Sequence, residues 1–76
     1  MLSVEEMKDH ASAAAMRKAA TGGAEVHSVT LAGEPARVDH GLWRVKVRLI
    51  MLDGTPRAFE CDSTDREVFT VREVTP

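Results

Sequence analysis

The side chains of this 76-residue chain that most readily act as nucleophiles, bases or metal ligands are one cysteine and three histidines: Cys61, His10, His27 and His40. A reactive thiol needs a positive, partly exposed environment. Cys61 instead stands between two acidic residues in a predicted strand, which raises the pKa expected for its thiol. No two histidines have the close spacing of a metal-binding pair. We therefore predict surface or turn histidines, an inward-facing and unreactive cysteine, and neither a catalytic nor a metal site.

A row of cations is the second chemical feature, in the segment GLWRVKVRLIMLDGTPRAFECD at residues 41–62. Arg44, Lys46 and Arg48 alternate with apolar residues, which is typical of a strand with one buried and one solvated face. Such a row is either a surface for a nucleic-acid backbone, whose phosphates bind clustered cations, or the solvated side of a two-sided sheet. The pairing of this strand with the next one decides between the two interpretations.

A loop of three residues, Asp53–Thr55, or of five around it, sets the predicted pairing of these two strands. The predicted facing pairs are Leu49 with Phe59 and Val47 with Cys61 on the apolar side, and Arg48 with Glu60 and Lys46 with Asp62 on the polar side. A slip by one residue would bury carboxylates, which costs more than the roughly 0.2–1 kcal/mol that each facing charge pair contributes. In this register Lys46 and Arg48 are neutralised, whereas Arg44 and Arg57 are less clearly paired. The resulting mixed ionic face disfavours nucleic acid.

Acidic residues near the end of the chain offer a further candidate surface. The sequence DSTD at residues 62–65 lacks the glycine and the distal glutamate of a calcium loop, so we expect a turn that hydrogen-bonds to itself. The neighbouring carboxylates form either an acidic patch for a basic partner or ordinary solvated surface. The residues predicted to contact a partner are therefore the charged ones of both segments: Arg44, Lys46, Arg48, Arg57, Glu60, Asp62, Asp65 and Glu67.

A helix over residues 3–23 precedes these strands. Ser3 and Glu6 have the spacing of a capping box. Leu2 and Met7 have the spacing of a hydrophobic staple, and one residue of the glycine pair at the far end can take the left-handed conformation that ends a helix. The predicted buried face consists of the residues that repeat every three to four positions: Val4, Met7, Ala11, Ala14, Ala15 and Ala19. Because most of these are small, the bulk of the core is expected from the large aromatic residues: Trp43, Phe59 and Phe69.

Four strands are predicted after the helix, at residues 25–33, 42–52, 57–62 and 67–74. The turn-rich segment GEPARVDHG can also hold a short extended piece around Arg37 and Val38. The face of the last strand stays open, because its apolar residues fall on both sides: Phe69 and Val71 on one, Val68 and Val74 on the other. The fold class is α+β, with an N-terminal helix packed on a three- to four-stranded antiparallel meander (α-β-β-β) in a single domain of residues 1–76.

Composition narrows the class of protein further. A chain of 76 residues makes one domain with a thin core, and its net charge of −2 is mildly unfavourable for a polyanionic partner. A single cysteine cannot form an internal disulfide, and neither a signal peptide nor an apolar membrane span is recognisable. We expect a cytoplasmic protein with no cofactor and no membrane partner.

Several short motifs carry a family resemblance. They are TGGAEVHSVTL at the end of the helix, WRVKV in the central strand, the DG turn and FECDSTDREV near the end of the chain. With these motifs the layout resembles a PepSY-type domain over roughly residues 3–74, although that family usually has a glycine where Asp65-Arg66 stands and its members are usually exported or membrane-attached. The resemblance implies a non-catalytic binding or inhibitory module, and it transfers no catalytic residues.

These observations favour two classes of function. The first is a small non-enzymatic protein-binding or inhibitory module that occludes a partner protein, for example a phage or mobile-element inhibitor such as an anti-CRISPR. An exposed strand edge can pair with such a partner or with a second copy in a homodimer. The alternative is a nucleic-acid-binding accessory protein that uses the basic residues: Arg37, Arg44, Lys46, Arg48 and Arg57. An enzyme is the least favoured class, because no nucleophile–base or acid–base pair is recognisable.

Overall fold

The structure is a computed structural model that describes residues 2–74, except for the side chain of Phe69. Within this range one helix is followed by five strands. The elements are α1 (Val4–Thr21), β1 (Val26–Leu31), β2 (Ala36–Asp39), β3 (Leu42–Met51), β4 (Pro56–Ser63) and β5 (Val68–Val74). All strand pairs are antiparallel. The predicted α+β class is confirmed. No helix in residues 2–74 has the length and apolar character needed to cross a membrane.

The sheet is a meander in which the first strand is split in two. β1 pairs with the second half of β3 and β2 with its first half, so both lie along the same edge, followed across the sheet by β3, β4 and β5. The N–H of Ala32 still donates to the carbonyl of Lys46, at 3.0 Å, before the chain leaves the ladder. β2 is the short extended piece predicted around Arg37 and Val38.

The two ends of α1 are formed by the predicted caps. At the start, the hydroxyl of Ser3 accepts from the N–H of Glu6, and the Glu6 carboxylate accepts from the N–H of Ser3, both at 3.2 Å. At the end, Gly23 has φ +82° and the N–H of Ala24 donates to the carbonyl of Ala19 at 3.2 Å. This six-residue ring is the Schellman arrangement, which requires a left-handed residue just beyond the helix.

The core lies between α1 and one face of the sheet. The helix contributes Met7, Ala11, Ala15 and Ala19, and the strands contribute Val45, Val47, Leu49, Met51, Phe59 and Cys61. Ala11 and Ala15 are completely inaccessible, so the helix lies close to the sheet. The prediction is wrong for Val4, which is exposed, and only half right for Ala14, because both flank a stripe that repeats every four residues.

The predicted aromatic bulk is present in Phe59, which is buried, and in Trp43, which is half-buried against the core. The prediction for the Phe69 side chain lies outside the described residues. In β5 the ladder is irregular: Val68 faces Ser63 and Val71 faces Cys61. Both valines pack on the core, and Val74 falls on the opposite side, opposite Ala58. The irregularity mixes the two alternatives for this strand and explains why alternation alone left its face open.

The β3–β4 hairpin differs from the predicted register by two residues. The observed pairs are Arg44 with Asp62, Val45 with Cys61, Lys46 with Glu60, Val47 with Phe59, Arg48 with Ala58 and Leu49 with Arg57. The loop is Leu52–Gly54, in which Gly54 has φ +88° and donates its N–H to the carbonyl of Met51 at 2.9 Å. A three-residue loop of this type places its last residue in the left-handed region. Gly54 accepts that conformation readily, whereas the β-branched Thr55 of the predicted loop does not.

Candidate functional site

The sheet face that points away from α1 is the candidate surface, and we call it the outer face. Its residues alternate with the core residues along each strand: Ser28 and Thr30 of β1; Ala36 of β2; Arg44, Lys46, Arg48 and Ile50 of β3; Pro56, Ala58, Glu60 and Asp62 of β4; and Thr70, Arg72 and Val74 of β5. No helix of residues 2–74 covers it. The two-residue shift in register leaves every side chain on its predicted face, because strand alternation has a period of two.

Four charged residues on the outer face form one connected ion cluster. The guanidinium of Arg44 donates from Nε to Oδ1 of Asp62 at 3.0 Å, and Arg72 donates from Nη1 to Oδ2 of the same carboxylate at 3.1 Å. Arg72 also reaches Oε1 of Glu60 from Nη2, at 2.7 Å. The cluster holds two cations and two anions, so its net charge is zero. Hydrogen bonding from Arg44, assisted by Arg72, lowers the pKa of the Asp62 carboxyl below its usual range.

Lys46 and Arg48 stand outside this cluster. Both are exposed, and neither lies within salt-bridge distance of a side-chain carboxylate in residues 2–74. Lys46 does face Glu60 across the ladder, but that carboxylate is bound by Arg72. Arg48 faces Ala58 on one side and Thr30 on the other.

The prediction that Lys46 and Arg48 are neutralised is therefore wrong, and so is the prediction that Arg44 is poorly paired. Two effects reverse the assignment. The register moves each anion two positions along β3, and Arg72 of β5 binds the anions from the far side. Arg72 is the residue that sequence reasoning missed. The alternation of β5 was the available signal, but the irregularity near Phe69 hides it.

Arg57 is not part of the outer face, because it pairs with Leu49 and lies on the helix side of the sheet. Its guanidinium makes a two-pronged contact with Glu73, from Nη2 to Oε1 at 2.6 Å and from Nε to Oε2 at 2.8 Å. It also lies over the ring of Phe59, with its central carbon 5.4 Å from the ring centroid. The contact raises the pKa of Arg57 and lowers the pKa of Glu73. Arg57, predicted to be poorly paired, is thus fully engaged.

The predicted acidic patch is divided between two places. Glu60 and Asp62 belong to the ion cluster, whereas Asp65 and Glu67 lie exposed in the turn before β5. That turn does hydrogen-bond to itself, as predicted. The hydroxyl of Thr64 accepts from the N–H of Glu67 at 3.2 Å, while the N–H of Thr64 donates to the carbonyl of Glu67 at 2.9 Å. The four carboxylates therefore do not act as one surface.

Cys61 points inward, as predicted, and is fully buried. Its thiol lies 3.6 Å from the carbonyl oxygen of Ala11, to which it donates. Burial, together with the neighbouring Asp62 carboxylate, raises the pKa of this thiol to about 11. All three histidines are exposed. Within residues 2–74, no three histidine, cysteine or carboxylate side chains come together as metal ligands.

An open depression of about 420 Å³ lies beside Lys46 and Arg48 on the outer face. Its lining includes Thr30, Lys46, Arg48, Ala58, Glu60 and Val74. Small side chains on both sides of Arg48 create this space, since Thr30 and Ala58 are its neighbours across the ladders. The depression combines two positive charges with a small apolar surface, and this chemistry suits an anionic group that carries an apolar neighbour.

No family model, curated protein or solved structure shows a significant match to this chain. The resemblance to PepSY-type domains stays a prediction.

Proposed function

We propose that this chain is a small, non-enzymatic protein-binding module that acts by covering a surface of a partner protein. The observation that carries the proposal is the outer face, a sheet surface that no helix of residues 2–74 covers and on which charged side chains are held in a defined arrangement. Side chains that are already ordered lose less conformational entropy when a partner binds them. The PepSY-type resemblance implies the same class of module.

The size of the outer face fits a single interface. The Cα atoms extend over 38 × 19 × 18 Å, and a ten-residue strand such as β3 accounts for most of the long dimension. The two longest Cα extents bound the sheet at roughly 700 Å² in projection, so the outer face has room for one interface of at most about the standard size, in which each partner buries about 800 Å². A partner of ordinary affinity would cover the ion cluster, Lys46 and Arg48 together. Occlusion of a nucleic-acid-processing protein, as by an anti-CRISPR inhibitor, is one form of this function.

We propose a non-enzymatic function because the thiol of Cys61 is buried and protonated. A thiol that is buried, with a pKa of about 11, is almost entirely protonated near neutral pH and out of reach of a substrate. This property also makes the protein convenient to label, because a cysteine introduced on the surface reacts selectively.

The test blocks the outer face physically. A Thr30→Cys variant places a thiol on the outer face, beside Arg48 on the edge strand β1, and an Ala13→Cys variant places one on the exposed side of α1. Each is labelled with a maleimide-linked polyethylene glycol and used to capture proteins from a lysate of the source organism, with mass-spectrometric identification. We expect proteins captured by the unlabelled chain and by the labelled Ala13→Cys variant to be lost from the labelled Thr30→Cys variant. Capture of the same proteins by both labelled variants would overturn the proposal.

Binding of nucleic acid is the second candidate, and it is favoured by Lys46 and Arg48, whose charges have no ion pair among the described side chains. Two phosphate contacts release few counterions, so the logarithm of affinity would fall with the logarithm of salt concentration with a slope of about −2. The described side chains of the outer face include no aromatic ring on which a base could stack, and the apolar surface of Ala58 and Val74 offers nothing to a phosphate backbone. The outer face therefore fits a protein partner better.

A further inference from the structure

We infer that the depression beside Lys46 and Arg48 is a docking site for an acidic segment of a partner protein, in which carboxylates approach the two cations and an aliphatic side chain covers Ala58 and Val74. The inference rests on the proposed function and specifies the chemistry of the partner. It follows from the observed register, since the predicted register would have neutralised both cations.

The geometry of the two cations suits two carboxylates in one extended segment. Lys46 and Arg48 are two positions apart on β3, so their side chains leave the same face about 7 Å apart. A partner segment in extended conformation presents alternate side chains at the same interval. Glutamates two positions apart in such a segment therefore match the spacing of the cations, and direct contacts between charged groups are stronger than neutral hydrogen bonds.

The positive charge of the outer face comes from Lys46 and Arg48. The ion cluster of Arg44, Glu60, Asp62 and Arg72 is neutral as a whole. Among the described charged residues that β3, β4 and β5 place on this face, Lys46 and Arg48 are the remaining two and both are positive, although the complete chain carries −2. The positive potential is therefore local, and it selects for a ligand whose negative charge is equally local.

The neighbours of Arg48 add an apolar component. Ala58 and Val74 pair with each other across β4 and β5, and both line the depression. Both are half-buried, so an aliphatic side chain laid over them would remove apolar surface from water. A free phosphate or an oligonucleotide backbone gains nothing from this contact, whereas a peptide with a leucine between two glutamates does.

The test uses short synthetic peptides and amide signals of the isotope-labelled protein. The probe is a blocked peptide in which leucine stands between two glutamates, and its matched control has glutamines in place of the glutamates. We expect saturable shifts of the Lys46, Arg48 and Ala58 signals with the acidic peptide and affinity lower by about tenfold or more for the glutamine peptide, equivalent to about 1.4 kcal/mol. Equal affinity for both peptides, or no shifts at several millimolar peptide, would overturn the inference.

Two charge-reversal variants locate the site. The double variant Lys46→Glu/Arg48→Glu should lose binding of the acidic peptide. Arg17→Glu/Arg66→Glu makes the same change in net charge at exposed positions that have no ion pair in residues 2–74, and it should bind like the wild type. A milder Lys46→Gln/Arg48→Gln variant serves if the reversal disturbs folding. Equal loss in the reversal variant and its control would contradict a defined site.

A short oligothymidylate is the remaining probe. Tighter binding of this oligonucleotide than of the acidic peptide, with the expected dependence on salt, would assign Lys46 and Arg48 to nucleic acid and overturn the inference. The outcome is separate from the test of the proposed function. If polyethylene glycol on the outer face abolishes capture but the acidic peptide does not bind, the protein-binding function stands and only the chemistry of the partner is wrong.

Discussion

At the scale of single residues, Asp62 is the most constrained carboxylate of the outer face. Each of its oxygens accepts a hydrogen bond from a different arginine, Arg44 on β3 and Arg72 on β5, while Asp62 itself belongs to the strand between them. Only 13% of its side chain is exposed. The carboxylate therefore ties three strands together at one point.

An Asp62→Asn variant should be less stable than the wild type by about 1–2 kcal/mol near neutral pH, because both arginines lose a charged acceptor. Folding lowers the pKa of Asp62, so the ionised carboxylate stabilises the folded state. This stabilisation is fully present above the ordinary aspartate pKa of about 4, and it is lost as the pH falls through the lower pKa of Asp62 in the folded state. Urea unfolding at a series of pH values measures this. The difference between variant and wild type should shrink below about pH 4. The exposed Asp65→Asn change is the control, and a difference that persists unchanged at low pH would contradict the account.

At the scale of elements, the β3–β4 hairpin determines which charges meet. Its loop, Leu52–Gly54, lies one residue earlier in the chain than the predicted loop Asp53–Thr55. This displacement changes the pairing by two residues and places Asp62 opposite Arg44 and Ala58 opposite Arg48. The faces of the strands are unaffected. The turn therefore controls the function proposed for the outer face without altering the core.

A Gly54→Ala variant should be destabilised by about 1 kcal/mol or more, because Gly54 has φ +88°, a conformation that alanine adopts only at a cost. An added Cβ would meet no atom within 4 Å, so the loss would come from backbone conformation and not from a steric clash. Gly22→Ala is the matched control. Gly22 has φ −81°, and its added Cβ would make only an ordinary contact, 3.5 Å from the carbonyl oxygen of Ala19. Thermal unfolding of both variants tests the prediction. A similar loss of stability at both glycines would show that the loop does not depend on a left-handed residue.

At the scale of the whole molecule, helix and sheet depend on each other. The buried face of α1 consists of one methionine and three alanines, so the helix contributes little apolar area of its own and is held by close contact with the sheet. The sheet in turn has one apolar face, which α1, the one helix of residues 2–74, covers. Neither layer can keep its apolar surface from water when the other is lost.

Unfolding should therefore be a single cooperative transition. Far-UV circular dichroism reports mainly on α1, and the fluorescence of Trp43, the only tryptophan, reports on the sheet where it packs against the core. We expect both signals to give the same midpoint in urea, as two-state unfolding requires. Loss of the helical signal at clearly lower urea than the Trp43 transition would show that α1 detaches from a sheet that remains folded.

The sequence by itself determined the elements, the caps and the faces of the central strands. Ser3 with Glu6 and the glycine pair fixed the ends of α1. Alternation placed Val47, Phe59 and Cys61 toward the core, because burying the charged residues in their place would cost on the order of several kcal/mol. These features depend on neighbours in the chain or on a period-two pattern, and both can be read locally.

Only the tertiary structure decided which charges meet on the outer face. A shift of two residues keeps every side chain on its face, so the hydrophobic pattern cannot distinguish the predicted register from the observed one. The conformational freedom of Gly54 selects between them, and Arg72 reaches Glu60 and Asp62 from a strand whose irregular pairing conceals its alternation. For this reason Lys46 and Arg48 have no ion pair within residues 2–74, and the partner chemistry that we propose depends on those two side chains.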